Sequence, residues 1–421
     1  MHLVVLGLWH LGSVTAACMA RYHRVSGLDF DEPVLKKLCA GHAPLHEPGL
    51  DNLLAAGIAS DHLSFSAEIS VAATADVLWV CYDTPVDVDD RSDLDWVHAR
   101  LARVLPSLRS GTVVLISAQL PVGTCAQLAK QHPTLHFACS PENLRLGKAL
   151  EAFEKPARII VGVSSAVART VLEKMLAPLR APLVWMRTES AEMVKHALNS
   201  FLALSVAYIN EIATLAEMVG ADAQEVAAGL KSDPRIGARA YLGPGGPFAG
   251  GTLARDVVTL SQLGITQHLP LALIPAIKES NDRHRGWAFR KIQPALTGIK
   301  QPIVAVLGLA YTPNTSTLRR SAAVELCRQL LAAGMKVQAY DPLIRTADDE
   351  HRDLSLTPSA ADAMRGAHAV VICTEWPEFR DYPWPTLIAS MAQPVVIDAN
   401  RLVEKSVASV AGLVYLTVGR P

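Results

Sequence analysis

Two groups of residues in this chain have the types and spacing to do chemistry. Near the N-terminus, Gly7-Leu8-Trp9-His10-Leu11-Gly12 ends a short apolar run and opens a stretch of helical composition. In that setting, glycines let a backbone wrap a pyrophosphate at a helix N-terminus. The first glycine makes the bend and the last lets helix and strand pack, but tryptophan stands where a second glycine would let phosphates approach. Asp29 follows Gly7 by 22 residues at the end of the second predicted strand, where a carboxylate accepts ribose hydroxyls and favours NAD over NADP. The second group spans residues 195 to 256. Lys195 and Asn199 share one face of a predicted helix, either as a solvated polar stripe or as a functional pair. After them RIGARAYLGPGGPFAGGTLARD is rich in glycine and proline between two helical regions, as a loop closing over a flexible diphosphate would be. Asp256 at its end either caps the next helix, VVTLSQL, or belongs to a site.

These residues need a scaffold, and the hydrophobic pattern supplies one. LVVLGL, VSGLDFD, DVLWVCY, TVVLIS, LHFACS and RIIVGV read as strands separated by helical stretches, the alternation of a parallel, doubly wound sheet. From Thr188 the pattern changes to apolar residues at helical spacing, free of Gly and Pro until Gly220, which predicts one long helix. A second α/β pattern starts at PIVAVLGLA and ends at PVVIDANR, so two strand-and-glycine openings, near residues 5 and 307, mark an internal pseudo-symmetry. The expected fold is α/β, with two Rossmann-like doubly wound parallel-sheet domains joined by a long central helix. Its expected divisions are 1–180, 181–298 and 299–421.

A chain of 421 residues exceeds one hydrophobic core. A net charge of −1 gives no field for nucleic acid or an anionic membrane. Charged residues or histidines interrupt each apolar stretch before ~18 residues, and MHLVVLGLWHLG lacks the basic start of a signal peptide, so a cytoplasmic protein without a membrane span is expected. The seven cysteines show no CxxC spacing and read as buried free thiols. Fourteen histidines lack ligand spacing, so no metal site is expected.

With Lys195-x-x-x-Asn199, Asn210-Glu211, Arg235-Ile236-Gly237, HEPGLDNLL, Thr84-Pro85, Pro121-Val122-Gly123-Thr124, SPENLRLGKALEAFEKPARIIVG, GLAYTPNTSTLRRSAAVEL and Thr374-Glu375-Trp376, the chain resembles the UDP-glucose/GDP-mannose dehydrogenase family. The matches keep the family's order from residue 3 to about residue 400. The resemblance implies a homodimer that binds NAD and a nucleotide sugar, commonly in a polysaccharide or glycoconjugate pathway. It implies oxidation of the sugar C6 hydroxyl in two hydride transfers, the second through a cysteine thioester. It also implies cofactor contacts from Gly7, Trp9, His10, Leu11, Gly12, Asp29, Thr84, Pro85, Gln119 and Arg319. Substrate contacts are implied for Glu142, Leu144, Lys195, Asn199, Arg235, Leu242, Phe248 and Gly250, with Lys195, Asn199, Asp256 and Glu142 as catalytic groups.

Several matched positions depart from the family pattern. Thr252 stands where the family has its reactive cysteine, and a threonine hydroxyl is far less acidic than a thiol. Leu146 replaces a second acid, Gln119 a threonine that orients water, Thr312 a lysine, and Asp83 a glycine. The sequence therefore implies an NAD-dependent nucleotide-sugar oxidoreductase whose second oxidation is altered or truncated, with a catalytically silent binding homologue as the alternative.

Overall fold

The computed structural model describes residues 1–421 apart from 88, 89, 143, 249–251, 347 and 348, so the expected substrate contact at Gly250 lies outside the described residues. Two compact units divide the chain, Met1–Leu198 and Asn199–Pro421. In the first, strands β1 (His2–Leu6), β2 (Arg24–Leu28), β3 (Leu63–Ser66), β4 (Val77–Val80), β5 (Val113–Ile116), β6 (His136–Cys139), β7 (Ile159–Val163) and β8 (Leu183–Met186) lie in the order β3-β2-β1-β4-β5-β6-β7-β8. The central strands β4 and β5 are apolar throughout because both faces are covered. Leu3, Val5, Val77 and Trp79 enter one core, and Val4, Leu6, Leu78 and Val80 the other.

The sheet is parallel, as expected, except at one pair. Strand β7 runs antiparallel to β6, with Ala138 opposite Val163 and Cys139 opposite Gly162. A parallel return would carry the chain back to the amino ends of the strands. Instead the chain leaves β6 and enters β7 at the carboxyl ends, the edge of the sheet at which the Gly7 turn also lies.

Helices α1 (His10–Met19), α2 (Glu32–Cys39), α3 (Thr124–Gln131) and α4 (Ala149–Glu154) serve the site in this unit. Helix α5 (Thr188–Val219) has 32 residues, about 48 Å at 1.5 Å per residue. It stops at Gly220, where φ is +80°, as the sequence predicts. An 18-residue window of α5 has mean hydropathy 1.4 and by length and composition alone could cross a membrane, while 39% of that window is buried inside the chain. Isolated charges therefore punctuate this helix without lowering its average below that of a span.

The second unit holds β9 (Ile303–Leu307), β10 (Lys336–Tyr340), β11 (Ala369–Ile372), β12 (Val395–Asp398) and β13 (Val414–Leu416), all parallel in the order β10-β9-β11-β12-β13. Val304 and Val306 pack on one face, Ala305 and Leu307 on the other. Helices α6 (Leu253–Thr266) and α7 (Ala322–Ala332) flank its site. All seven cysteines are free and five are buried. The expectation of buried thiols fails at Cys39, which is exposed at the end of α2 because that helix buries Val34 and Leu38 instead.

Candidate active site

The Gly7 turn requires its glycines for two different reasons. Gly7 sits at φ +91°, and a Cβ there would meet the Tyr82 ring at 2.5 Å. A Cβ at Gly12 would fall 1.7 Å from the Gly7 carbonyl oxygen, so α1 can start this close to β1 only with glycine. Trp9 has φ −65° with ψ −147°, so its φ lies outside the left-handed range that favours glycine. Its ring is 41% exposed and stands at the α1 N-terminus, the end that would receive a pyrophosphate.

Asp29 is buried beside this turn. Its Oδ2 accepts the Leu8 N–H at 2.6 Å, and its Oδ1 accepts Phe30 N–H at 2.7 Å and Asp31 N–H at 3.2 Å. A carboxylate offers about four acceptor positions, so the arrangement orients Asp29 and leaves capacity for a ribose hydroxyl. Leu11 is buried, and the His10 ring turns inward to Glu47 Oε2 at 2.9 Å. Thr84 Oγ1 donates to the Gln119 carbonyl at 3.0 Å, which brings two predicted cofactor contacts together. Pro85 accepts the Asp93 N–H at 2.8 Å. The glycine conformations, the first turn of α1 and the buried acid fit a dinucleotide, and the bulk of Trp9 is the departure.

Lys195 also lies in the first unit and is no solvated stripe. Its Nζ donates to the Glu142 carbonyl oxygen at 2.7 Å and lies 3.6 Å from Glu142 Oε1. Glu142 Oε2 accepts the Leu144 N–H, so acid, lysine and the predicted Leu144 form one cluster. Two residues that sequence reasoning missed fix α5 on either side of Lys195. The Glu192 carboxylate accepts Gly123 N–H at 2.6 Å and Cys125 N–H at 2.9 Å at the start of α3, and the His196 ring bonds the Leu120 carbonyl at 3.1 Å.

In the second unit, Asn199 Nδ2 donates to Asp256 Oδ2, and both residues are buried. Asp256 stands in the first turn of α6 while Thr252 occupies the N-cap position without a side-chain cap bond. The reading of Asp256 as the helix cap is thereby corrected: its carboxylate holds Asn199. The glycine-rich segment ahead of α6 is gripped by side chains from far along the chain. Asn210 Oδ1 accepts Gly245 N–H at 3.0 Å, Asn400 Oδ1 accepts Gly246 N–H at 2.7 Å, and the His284 ring bonds the Gly245 carbonyl at 2.7 Å. Asn281 bonds both the N–H and the carbonyl of Phe248, each at 2.9 Å. Of these four clamps only Asn210 carried a sequence signal, within the Asn-Glu step.

This segment walls two adjoining cavities of about 390 and 690 Å³, which share Tyr241, Phe248, Leu253, Glu375 and Asn400. Both volumes fall in the range of small-molecule sites. Leu242 is buried against Ile209 and Ala227 and lines only the larger cavity, whereas its neighbour Tyr241 lines both. Lys231 and Arg285 are the cationic lining side chains, and Thr312 lines the smaller cavity. Burial and the nearby Asp398 push the Glu375 carboxyl above its ordinary range. Burial lowers His284 and favours its neutral ring. Arg235 is far from buried, with 89% of its side chain exposed, and is held on Asp233. Arg319 is exposed just ahead of α7.

The second unit repeats the first unit's turn with a different outcome. Gly308 has φ +85°, and a Cβ there would meet Thr374 Cβ at 2.6 Å. Asp341 takes the place of Asp29. Its Oδ2 accepts Leu309 N–H, Ala310 N–H and Trp376 Nε1–H at 2.7, 2.9 and 3.1 Å, and its Oδ1 accepts Leu343 N–H and Ile344 N–H at 2.9 and 3.2 Å.

Comparison with known proteins agrees along the whole chain. Residues 1–180 match the NAD binding domain of the UDP-glucose/GDP-mannose dehydrogenase family, residues 189–283 its central domain and residues 305–405 its UDP binding domain. The chain is 34% identical to a UDP-glucose 6-dehydrogenase of Rhizobium meliloti over 100% of both chains. It is 31% identical to UDP-glucose 6-dehydrogenase TuaD of Bacillus subtilis, covering 100% of this chain and 93% of that one. A solved UDP-glucose dehydrogenase from Pyrobaculum islandicum superposes with TM-score 0.89 at 29% identity, covering 100% and 98% of the two chains. A UDP-D-ManNAc dehydrogenase from Pyrococcus horikoshii gives 0.88 at 26% identity over 100% and 99%.

Proposed function

The chain belongs to the UDP-glucose/GDP-mannose dehydrogenase family, and from that premise we propose that it oxidises the C6 hydroxyl of a UDP-sugar once, releasing the aldehyde. The family is one of NAD-dependent oxidoreductases, and its NAD-binding and UDP-binding domains are both present. Relatives named UDP-glucose 6-dehydrogenases support UDP-glucose as the first substrate to try. In this reading residues 1–180 hold NAD, 181–298 form the central helical region, and 299–421 hold the nucleotide.

The observation that carries the proposal is the ordered pair of polar clusters, Lys195 on Glu142 and Asn199 on Asp256, and the resemblance puts Thr252 at the nucleophile position. NAD bound at the Gly7 turn would supply the hydride acceptor for C6. Lys195 and Asn199, one helical turn apart on α5, hold the C6 oxygen and stabilise the charge it develops as its proton leaves. Asp256 keeps the Asn199 amide oriented, and Glu142 keeps the Lys195 ammonium in place. The balance is alcohol plus NAD giving aldehyde, NADH and one proton. A second transfer through a thioester needs a thiolate, and Thr252 offers only a hydroxyl. Exposed apolar side chains along α5, among them Phe201, Leu215 and Met218, support a homodimer. Seven free thiols support a reducing, cytoplasmic setting.

One feature favours a second reading. The exposed ring of Trp9 at the start of α1 suits a homologue that binds nucleotide sugar without turnover. NADH absorbance with a panel of UDP-, GDP- and TDP-sugars, with mass spectrometry of the product, tests both. One NADH per aldehyde is expected, and Thr252→Cys should move the product toward the uronic acid with two NADH. Two NADH per uronic acid from the unaltered chain would defeat the single-oxidation reading. Sugar binding without NADH from either form would establish the silent one.

A further inference from the structure

Glu47 lies in the first unit, in the HEPGL stretch, and is 4% exposed. Its carboxylate takes three donors from two parts of the chain. The His10 ring reaches Oε2 at 2.9 Å from the first residue of α1, the helix that opens the Gly7 turn. Gly147 N–H reaches the same oxygen at 2.9 Å, and Ala149 N–H reaches Oε1 at 2.8 Å at the start of α4. Burial by itself raises this carboxyl, but His10 and the two amides outweigh it and hold the group below its ordinary range, so it is a carboxylate at neutral pH.

The far side of the same connection carries Glu142, whose carbonyl oxygen accepts the Lys195 ammonium, and Leu144, whose N–H is held by the Glu142 side chain. A chain of hydrogen bonds thus runs from α1 through Glu47 to the Gly147–Ala149 amides, and the antiparallel return at β7 keeps this connection at the same edge of the sheet. A buried carboxylate shared by three donors cannot shift toward one without weakening its bonds to the others.

We propose that Glu47 is a positioning residue that couples occupation of the Gly7 turn to the order of the segment from Leu144 to Ala149, and through it to the placement of Lys195. The proposal rests on the reading that NAD binds at the Gly7 turn. A bound dinucleotide steadies the first turn of α1, His10 steadies Glu47, and Glu47 steadies the two amides. The residue acts through others and touches no reacting atom.

Hydrogen exchange of the 144–149 peptide with and without saturating NAD, alongside equilibrium dialysis of NAD, tests the coupling without need of turnover. In the unaltered chain NAD should slow exchange in this peptide about fivefold, the low end of measured couplings between sites. His10→Phe, which leaves Glu47 on the Gly147 and Ala149 amides, should lose the slowing at NAD concentrations that dialysis shows to saturate the variant, and Glu47→Gln should lose it too. A carboxylate that only capped α4 would leave the NAD-dependent difference intact in His10→Phe. The proposal is overturned if NAD binds and the peptide does not respond, or if both variants respond like the unaltered chain. If dialysis shows no NAD bound to the unaltered chain, the cofactor reading fails and takes the coupling with it.

Discussion

The turns at Gly7 and Gly308 start alike and end differently. Each follows the first-used strand of its sheet, each puts glycine at positive φ, and each sends that glycine's N–H to the neighbouring strand, Gly7 to Leu28 at 3.0 Å and Gly308 to Tyr340 at 2.8 Å. Each has an aspartate at the end of that neighbour. Asp29 serves three backbone amides beside a turn that runs straight into α1, whereas Asp341 serves five donors, including the Trp376 indole, beside a turn followed by a long connection to α7. One acid keeps capacity for a ligand and the other is consumed in holding its own loops. The same local grammar thus yields a cofactor cradle in one unit and a structural rivet in the other, and the difference lies in how many donors the protein itself supplies.

Substitutions should separate the two roles. Asp341→Ala strands five buried or partly buried donors and should cost at least ~3 kcal/mol of stability, read as an early unfolding transition by calorimetry, while NAD affinity measured below that transition stays unchanged. Asp29→Ala should weaken NAD about 100-fold in titration calorimetry, with a smaller shift in melting than Asp341→Ala because it strands three backbone donors rather than five. If both variants lose stability equally and neither changes NAD affinity, the contrast is broken.

Trp9→Gly sharpens the first half of the comparison. Removing a side chain from the mouth of the cradle should tighten NAD about tenfold, as followed by NAD titration. Unchanged affinity would mean that the pyrophosphate does not approach this residue.

The smallest effect concerns Glu375, next to the Thr374 that packs on Gly308. Its carboxyl is raised, so the folded chain holds that proton above the unfolded value. Its contribution to stability is present at low pH and is lost as pH rises through the raised value. Binding an anionic diphosphate favours the protonated form further, so nucleotide affinity should fall over the same rise. Glu375→Gln should flatten that slope and improve affinity roughly threefold at neutral pH, measured by UDP titration across pH. A slope that persists in the variant would assign it to another group lining the cavity.

Much of this architecture was legible because it is periodic. Strands buried on both faces read as apolar runs, and α5 announced both its length and its end at Gly220. The direction of β7 was not legible, since a strand's sequence carries no sign of which way its neighbour runs. Within the site, Lys195, Asn199 and Asp256 could be picked out by resemblance, but whether Asp256 capped a helix or held Asn199 depended on a contact across 57 residues. Asn281, His284 and Asn400 grip the glycine-rich segment from still other parts of the chain, where no spacing rule connects donor with acceptor.

Cys39 offers a practical handle. It is the one exposed thiol of the seven, and burial pushes the thiol of half-buried Cys373 well above its ordinary range and so out of the reactive thiolate form. A maleimide dye added at neutral pH should therefore attach at a single place on the native sequence. That place is the far end of α2, the helix that begins next to Asp29, so the emission of one fluorophore becomes a reporter of adenosine arriving at the cradle, with no mutation made to install it.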